Sequence, residues 1–516
     1  MNDPARNPVI VGVGQVTDKD TGPDTARSPL GLMVDATRLA ARDTGATPEA
    51  VLSGLDSITA IRTFNDTVPA FKSPFGRLAN APWSIAERIG AKPREFLYPP
   101  SGGDVPQRMV TRVCEQIAAG AISSALVVGS EAQRTERNAK RAGLALDWSE
   151  DAPFAPDELG GMEVLYSPTE VAHGMRVPAV IYALFEQALR ARKRLTPAQR
   201  AVELGRLCAG LAQVAHANPL AARNEGYAAE DIAIASPKNR YVGFPYTRLM
   251  TANVYVDQGA AIIVCSEARA EEWGVPHDRR VYLHGSAHGH DEWFATERSR
   301  LDRSPAIHRV VQATLDGAGI GIDQVSRFDL YSCFVSAIEV ACDEIGIATD
   351  DPRGLTVTGG LSFFGGPGNN YVSHSITEMV DRVRAKPGSY GLVTANGGLL
   401  TKHAAGLYST KRPAIPWQSP DDTRLQAEID LASGPKVPLN PEPAGAARIE
   451  SYTVLNGPAG PERGVILGRL VEGGSRFVAN TPTDRATLLR LQEIDALGLG
   501  GRVIAGGTVN IFTPDV

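Results

Sequence analysis

The chain has 516 residues, 43% of them apolar and 21% charged, with a net charge of -6 and a pI of about 5.9. That length exceeds one ordinary domain and can bury a large core. The acidic balance, with no run of Lys or Arg, excludes a basic face for nucleic acid or for an anionic membrane. Five cysteines (Cys114, Cys208, Cys265, Cys333 and Cys342) are too sparse, and odd in number, for a disulfide scaffold; they predict a reducing, cytoplasmic setting. No apolar run reaches the roughly 18 residues of a membrane span, and the N-terminus lacks the charged-then-apolar layout of a signal peptide.

Taken in chain order, 8–14 (PVIVGVG) predicts a strand, and helical periodicity follows over 30–43. A Gly-rich stretch, 98–107 (YPPSGGDVPQ), leads into a helix over 107–119 and a strand over 125–130. Helices are predicted over 179–194 and 197–216, then strands over 260–266 and 281–287. The pattern continues with a helix at 306–317, a strand at 328–334 (FDLYSCF), a loop at 358–371 (TGGLSFFGGPGNNY), a helix at 372–384 and a strand at 390–396. The strands read as near-continuous apolar runs, the signature of strands covered on both faces, and alternating strands and helices predict an α/β fold with largely parallel sheets.

Two pairs of segments repeat in the same order. Residues 28–58 and 304–332 each run from Ser-Pro through an amphipathic helix and a Gly-containing turn to a strand; 110–130 and 376–396 each run from helix through a small-residue turn to a strand. The first ~400 residues therefore read as two copies of one α/β unit. The Gly-rich stretches at 98–107 and 358–371 occupy equivalent places, each ahead of a helix, so two loops and two helix N-termini are expected to meet at one centre. Converging backbone N–H groups of that kind suit a carbonyl or a developing oxyanion.

From about 413 to 446 prolines recur and periodicity fades, which predicts a linker. Beyond it, 448–456, 464–481 and 501–514 alternate and are rich in β-branched residues and glycine, with Gly473-Gly474 as a hairpin turn and a helix over 484–497. This predicts a small β-rich domain over 447–516, a barrel of oligonucleotide/oligosaccharide-binding (OB-like) type.

The duplicated unit resembles the thiolase superfamily, over about residues 5–410. The nearest look-alikes are sterol-carrier-protein-type thiolases and thiolase-like proteins with an additional C-terminal domain. FDLYSCFVSA is similar to the family's Asn-Glu-Ala-Phe or His-Asp-Cys-Phe segment, GGLSFFGGP to its Gly-His-Pro loop, and TANGGLL to its Cys-x-Gly-Gly-Gly turn. The resemblance implies a duplicated α/β/α/β/α core: an N-terminal half over 1–275 containing an insert at about 131–250, and a C-terminal half over 276–412. It implies coenzyme A as co-substrate with no tightly bound cofactor, a small acyl partner, and a homodimer unless the appended domain covers the dimer edge and leaves a monomer.

The departures from the family pattern fall at its chemistry. The nucleophilic cysteine is replaced by Gly103 or Asp104, the Gly-His-Pro histidine by Gly366, the second cysteine by Ala395 and the water-holding asparagine by Tyr331. Four candidates remain for catalysis. His403 is expected to turn into the vacated pocket as a base, or to be tied to a backbone carbonyl. Cys333 is a supporting thiol or a buried hydrophobe, and Tyr331 and Tyr371 are proton-transfer groups or core aromatics. Gly103, Gly366, Asn396, Gly397 and Gly398 are expected to form the oxyanion loops. Asn239, Arg240, Tyr246 and Arg248 are expected at the nucleotide end of CoA, or on an ordinary surface loop. His288, His290 and His374 are expected near the acyl pocket, although His374 suits packing as well; the H-x-H-D-E cluster lacks a regular ligand spacing, so no metal is expected. The expected function is CoA-dependent acyl transfer on a β-keto acid or β-ketoacyl thioester, by C–C cleavage or its reverse, without a cysteinyl intermediate. The alternatives are a retro-aldol lyase acting on a β-hydroxyacyl-CoA and a non-catalytic acyl-CoA-binding protein.

Overall fold

In the computed structural model, which describes residues 3–67, 71–161 and 163–516, the repeat inferred from sequence is visible element by element. The first half contributes β1 (Pro8–Thr17), β2 (Ser57–Ala60), β3 (Glu95–Tyr98), β4 (Ser124–Ala132) and the two-residue β5 (Asp157–Glu158). A short hairpin in the insert, β6 (Tyr241–Gly243) and β7 (Tyr246–Thr247), precedes β8 (Asp257–Ser266). These strands, apart from the hairpin, form one sheet in the order β1-β8-β4-β2-β3-β5. The second half contributes β9 (Tyr282–His290), β10 (Val325–Asp329), β11 (Tyr390–Gly397) and β12 (Lys402–Ser409), in the order β10-β11-β12-β9. Read from the other end, this is the order of β1, β8, β4 and β2, as a duplication requires.

Helices Val105–Ala119 and Tyr371–Ala385 pack on each other and on both sheets, forming the middle layer. Helices Pro29–Asp43 and Pro305–Ala318 cover the outer faces. Each outer helix begins as its Ser-Pro predicts: Ser28 Oγ accepts from the Gly31 N–H and Ser304 Oγ from the Ile307 N–H, with proline in the first turn. The result is a five-layer α/β/α/β/α core.

Three expectations are corrected. The sheets are mixed: β8 lies antiparallel to β1 and β4, and β12 antiparallel to β11 and β9. The tight turn after Gly397 sends the chain straight back, which only an antiparallel pair allows. The strand predicted over 328–334 ends at Asp329, because the Asp329 carboxylate accepts from the Val357 and Thr358 N–H groups and the Tyr331 N–H turns to Thr394 Oγ1. The predicted linker contains a helix, Asp422–Ser433, capped by Asp421. Only Leu425 and Ile429 of that helix are buried, a stripe too narrow to register as periodicity.

The C-terminal region forms β13 (Gly445–Gly457), β14 (Gly460–Leu470), β15 (Arg476–Asn480), β16 (Gly500–Ile504) and β17 (Ile511–Pro514), with helix Arg485–Glu493 between β15 and β16. Pairing runs β14-β15-β17-β16-β13 and closes through β13–β14, a five-stranded barrel. The left-handed Gly473 and Gly474 make the β14–β15 turn, where positive φ is needed. The barrel is bolted to the core. β6 pairs with β13 through Gly243 and Leu455, Phe244 enters the barrel's apolar cluster, and Ser451 Oγ donates to the Leu184 carbonyl. His173 Nε2 accepts from the Asn510 N–H, and Arg190 pairs with Asp495 at 2.7 Å.

The barrel does not cover the outer edge of β3. That edge is capped by β5, from the insert, which pairs parallel to it. Among the described residues no helix is long and apolar enough to cross a membrane.

Candidate functional site

The two Gly-rich loops meet. The Gly102 N–H donates to Asn369 Oδ1 at 3.0 Å, and Asn369 Nδ2 donates to the Arg62 carbonyl at 2.8 Å. Gly103, one of the two residues that the resemblance sets at the nucleophile position, has no room for a side chain: a β-carbon there would overlap Tyr331 Oη and the Asn396 carbonyl oxygen. Tyr331 has thus taken the volume a side chain at Gly103 would need. Its hydroxyl has no hydrogen-bond partner among the described residues, and burial, then the neighbouring Cys333 and Asp104, push its pKa well above the usual phenol value. Cys333 is raised to about 12 by burial, which keeps it a thiol. Tyr331 and Cys333 are half-buried, as are Ala252 and Asn253 beside them.

Lys402, not singled out from sequence, reaches this centre. Its ammonium donates to the Ser101 carbonyl at 3.0 Å and to Glu163 Oε2 at 3.1 Å, and lies 3.6 Å from Asp104 Oδ1. It staples the 98–104 loop to β12. A lysine at a strand's first residue carries no sequence signal for that role.

His403 is placed differently from the expectation. Adjacent residues of a strand point to opposite faces, so Lys402 faces the middle layer and His403 faces the outer one. There His403 Nε2 lies 3.3 Å from Asp291 Oδ2 and 3.4 Å from Ser304 Oγ, at the start of helix Pro305–Ala318. Both partners approach the same ring nitrogen, so this is not a relay of the Ser-His-Asp type.

Tyr371 is also committed. Its hydroxyl donates to Asp329 Oδ1 at 3.1 Å and meets Thr358 Oγ1 at 2.7 Å. Asp329 is the hub of the second Gly-rich loop, accepting also from Thr356 and Ser375 hydroxyls. Among the oxyanion candidates, the Gly366 N–H donates to the Asn253 carbonyl at 2.9 Å and is not free. Gly397 is in the β11–β12 ladder opposite Lys402, and Gly398 supplies one of the positive φ angles of the turn. Asn396 turns to the outer face, with Nδ2 donating to Tyr182 Oη at 3.0 Å and approaching Cys333 Sγ at 3.8 Å. Tyr182, from the insert helix Pro178–Lys193, also accepts from the Leu400 N–H at 2.9 Å.

The four residues expected at the CoA end separate. Tyr246 is fully buried and donates to Glu186. Asn239 holds its own loop through the Asp231 and Ile232 carbonyls. Arg240 donates to the Tyr241 and Asn456 carbonyls, which ties it to the barrel. Arg248 alone is exposed, and it belongs to a group the sequence did not reveal, with Arg137, Arg141 and Arg223. Arg137 stacks 4.2 Å over the Tyr255 ring. Burial first, then neighbouring arginines, lower the pKa of Arg137 and of Arg223, the mark of cations with too few anions. The segment Thr251–Tyr255 joins this cluster to the centre: the Ala252 N–H donates to the Cys333 carbonyl, and Tyr255 is 48% exposed under Arg137.

The three other histidines each have partners of their own. His288 approaches Asp422 at 3.6 Å, and His290 stacks on Trp293; opposite Ala404 and Lys402 in the ladder, both stand on the Lys402 face of the sheet, and Arg108 and Asp104 of the middle-layer helix act on His288. His374 is fully buried, bonded through Nδ1 to Gln15, with a pKa lowered to about 3 by burial.

Comparison with known proteins adds an independent line. A family model described as the thiolase-like protein type 1 additional C-terminal domain matches residues 424–508. The fold matches the crystal structure of a monomeric SCP2-thiolase-like protein type 1 from Mycobacterium smegmatis with a TM-score of 0.83 and 35% identity over 99% of each chain. An Ltp2-ChsH2(DUF35) aldolase matches with a TM-score of 0.58 and 18% identity, over 79% of this chain and 98% of that one. The dimeric peroxisomal thiolase of Saccharomyces cerevisiae matches with a TM-score of 0.55 and 13% identity, over 80% and 99%. These last two show the fold alone. A probable acetyl-CoA acetyltransferase of Mycolicibacterium smegmatis (strain ATCC 700084 / mc(2)155) is 27% identical over 136 residues, 26% of this chain, and the match spans about a third of that relative (32%).

Proposed function

Since the chain belongs to the SCP2-thiolase-like proteins of type 1, we propose that it binds an acyl-CoA and breaks or forms a C–C bond in the acyl part without an acyl-enzyme. The observation that carries this is the Tyr331 hydroxyl, unpartnered among the described residues and seated against Gly103, which with Asp104 stands where the resemblance sets the family's nucleophile. Arg137, Arg141, Arg223 and Arg248 would hold the phosphates, since guanidinium groups pair with phosphate oxygens. The pantetheine arm would follow Thr251–Tyr255 inward. Tyr331 Oη would donate to the thioester oxygen as the Cα–Cβ bond breaks and charge collects there.

With a β-ketoacyl thioester, the CoA sulfur adds to the β-carbonyl, the Cα–Cβ electrons pass to the thioester enolate, and the thiol proton ends on Cα. With a β-hydroxyacyl thioester, the hydroxyl loses its proton, an aldehyde or ketone leaves, and Cα takes the proton. A second reading, binding without turnover, is favoured by the high pKa values of Tyr331 and Cys333, which leave no ready base or nucleophile. We read the barrel as OB-like, and the chain as a monomer, because β5 already occupies the β3 edge.

The test is to incubate the protein with CoA and a panel of β-ketoacyl- and β-hydroxyacyl-CoAs and to follow products by mass spectrometry. Tyr331→Phe is expected to lower turnover by roughly a hundredfold or more while leaving binding intact. Binding with no product from any thioester would leave the second reading.

A further inference from the structure

The appended barrel reaches the centre through two buried arginines in series. Arg476, on β15, is 1% exposed. Its Nε and Nη2 hold Glu450 at 3.0 and 2.6 Å, while Nη1 crosses into the core and donates to the Thr296 carbonyl at 3.0 Å and the Arg298 carbonyl at 2.6 Å. Those two carbonyls end the single helical turn Ala295–Glu297, so a guanidinium from the barrel caps it.

Arg298 is 5% exposed and continues the line. Its Nη2 donates to the Leu399 carbonyl at 3.2 Å and to Thr401 Oγ1 at 3.0 Å, and its Nε to the Glu292 carbonyl at 3.1 Å. Leu399–Thr401 is the turn between β11 and β12. It contains Leu400 at φ 55°, a left-handed conformation that a branched side chain adopts only when its surroundings hold it there. The holding groups are Arg298 on one side and Tyr182 Oη, bonded to the Leu400 N–H, on the other. This strained turn sets the register of Asn396 and Lys402 on the two strands it joins.

We propose that Arg476 and Arg298 are positioning residues through which the barrel fixes the turn at Leu399–Thr401, so that the appended domain is a structural part of the centre and not a separable module. The inference rests on the reading above only in taking that turn as part of the site. Guanidinium suits the task, because its planar fork can grip a carboxylate on one edge and backbone carbonyls on the other.

Hydrogen exchange on the full chain tests it without relying on turnover. Arg476→Met is expected to speed exchange at the Leu399, Leu400 and Thr401 amides by roughly tenfold or more, with Val465–Leu467 of the barrel and the helix Val105–Ala119 still protected. Arg476→Lys should restore part of the protection. Arg298→Lys, which leaves the barrel untouched, should loosen the same three amides and serves if Arg476→Met does not fold. Unchanged exchange at the turn in a folded Arg476→Met or Arg298→Lys protein would overturn the proposal. Acyl-CoA affinity of the unsubstituted protein separates the two readings: loss of turn protection in the variants, with no acyl-CoA binding by the unsubstituted protein, would sink the proposed function and leave this inference standing.

Discussion

Beside the Ser-Pro helix start of each half lies a buried acid, at the end of β4 in the first half and just after β9 in the second, and the two sit in opposite settings. In the first half Glu131, at the end of β4, lines a cavity of about 110 Å³ with Ser28, Asn65 and Tyr98. It accepts from the Phe64 N–H and from Gln133, but among the described residues no cation pairs with it, and burial raises its pKa to about 8. In the second half Asp291 is just as buried, which by itself would raise its pKa. Hydrogen bonds from His403 and Ser304 and the charge of Arg298 outweigh that and hold it below the usual carboxylate value. Duplication has preserved strand order and helix caps while leaving the polar contents of each copy free to diverge. The scaffold is set by long apolar runs; the chemistry is set by single side chains at strand ends.

The largest expected effect breaks this comparison by neutralising Glu131. Its folded pKa of about 8 lies above the unfolded value near 4.5. The folded state therefore holds a proton that the unfolded state releases, and stability falls as pH rises from about 4.5 to 8. Glu131→Gln should remove that loss, a gain of at most about 5 kcal/mol at pH 8 and little below pH 4.5. Thermal unfolding across this range reads it; a pH-independent difference would refute the assignment. His374 in the second half has the opposite sign. With a folded pKa of about 3 against 6.5 unfolded, it leaves the chain progressively less stable as pH falls below 6.5. His374→Gln should flatten that acid limb.

Next in size is Gly103→Cys, which restores a nucleophile to the first loop. Overlap with Tyr331 Oη and the Asn396 carbonyl should cost about 3 kcal/mol. Tyr331→Gly in the same chain should recover part of it, visible in denaturant midpoints. If Gly103→Cys alone is neutral, the centre is looser than its geometry. Smallest is His403→Ala, expected to destabilise by about 2 kcal/mol through the loss of Asp291's partner. Because His403 faces the outer layer, acyl-CoA affinity should stay unchanged. A large drop in affinity would return the histidine to the site.

Much of the fold was legible because it rests on patterns that propagate along the chain. The Ser-Pro starts at Ser28 and Ser304, the buried strands and the Gly473-Gly474 turn are local signals, and they formed as expected apart from the strand over 328–334, which stops at Asp329. The site was legible only in outline. The two loops meet as inferred, yet the sequence could not say that His403 points outward and Lys402 inward, since a one-residue shift reverses every face of a strand. Nor could it assemble Arg137, Arg141, Arg223 and Arg248, which come from three separate stretches of chain. The helix Asp422–Ser433 escaped because two buried residues are too few to show a period. Tyr182 is the plainest omission: its neighbours in sequence are helical and apolar, so nothing there hints that its hydroxyl gathers Asn396, Leu400 and the Cys333 loop.

The hairpin β6–β7 has a consequence for the order of events during synthesis. It leaves the ribosome long before β13, the barrel strand it will pair with, has been made. When the barrel sequence emerges, Phe244 and an open strand edge are already waiting on a core that has had time to assemble. The barrel therefore folds against a template laid down by the part of the chain made before it. A chain truncated before β13 would carry that template exposed, as an unpaired strand edge beside an apolar anchor, and would be prone to self-association.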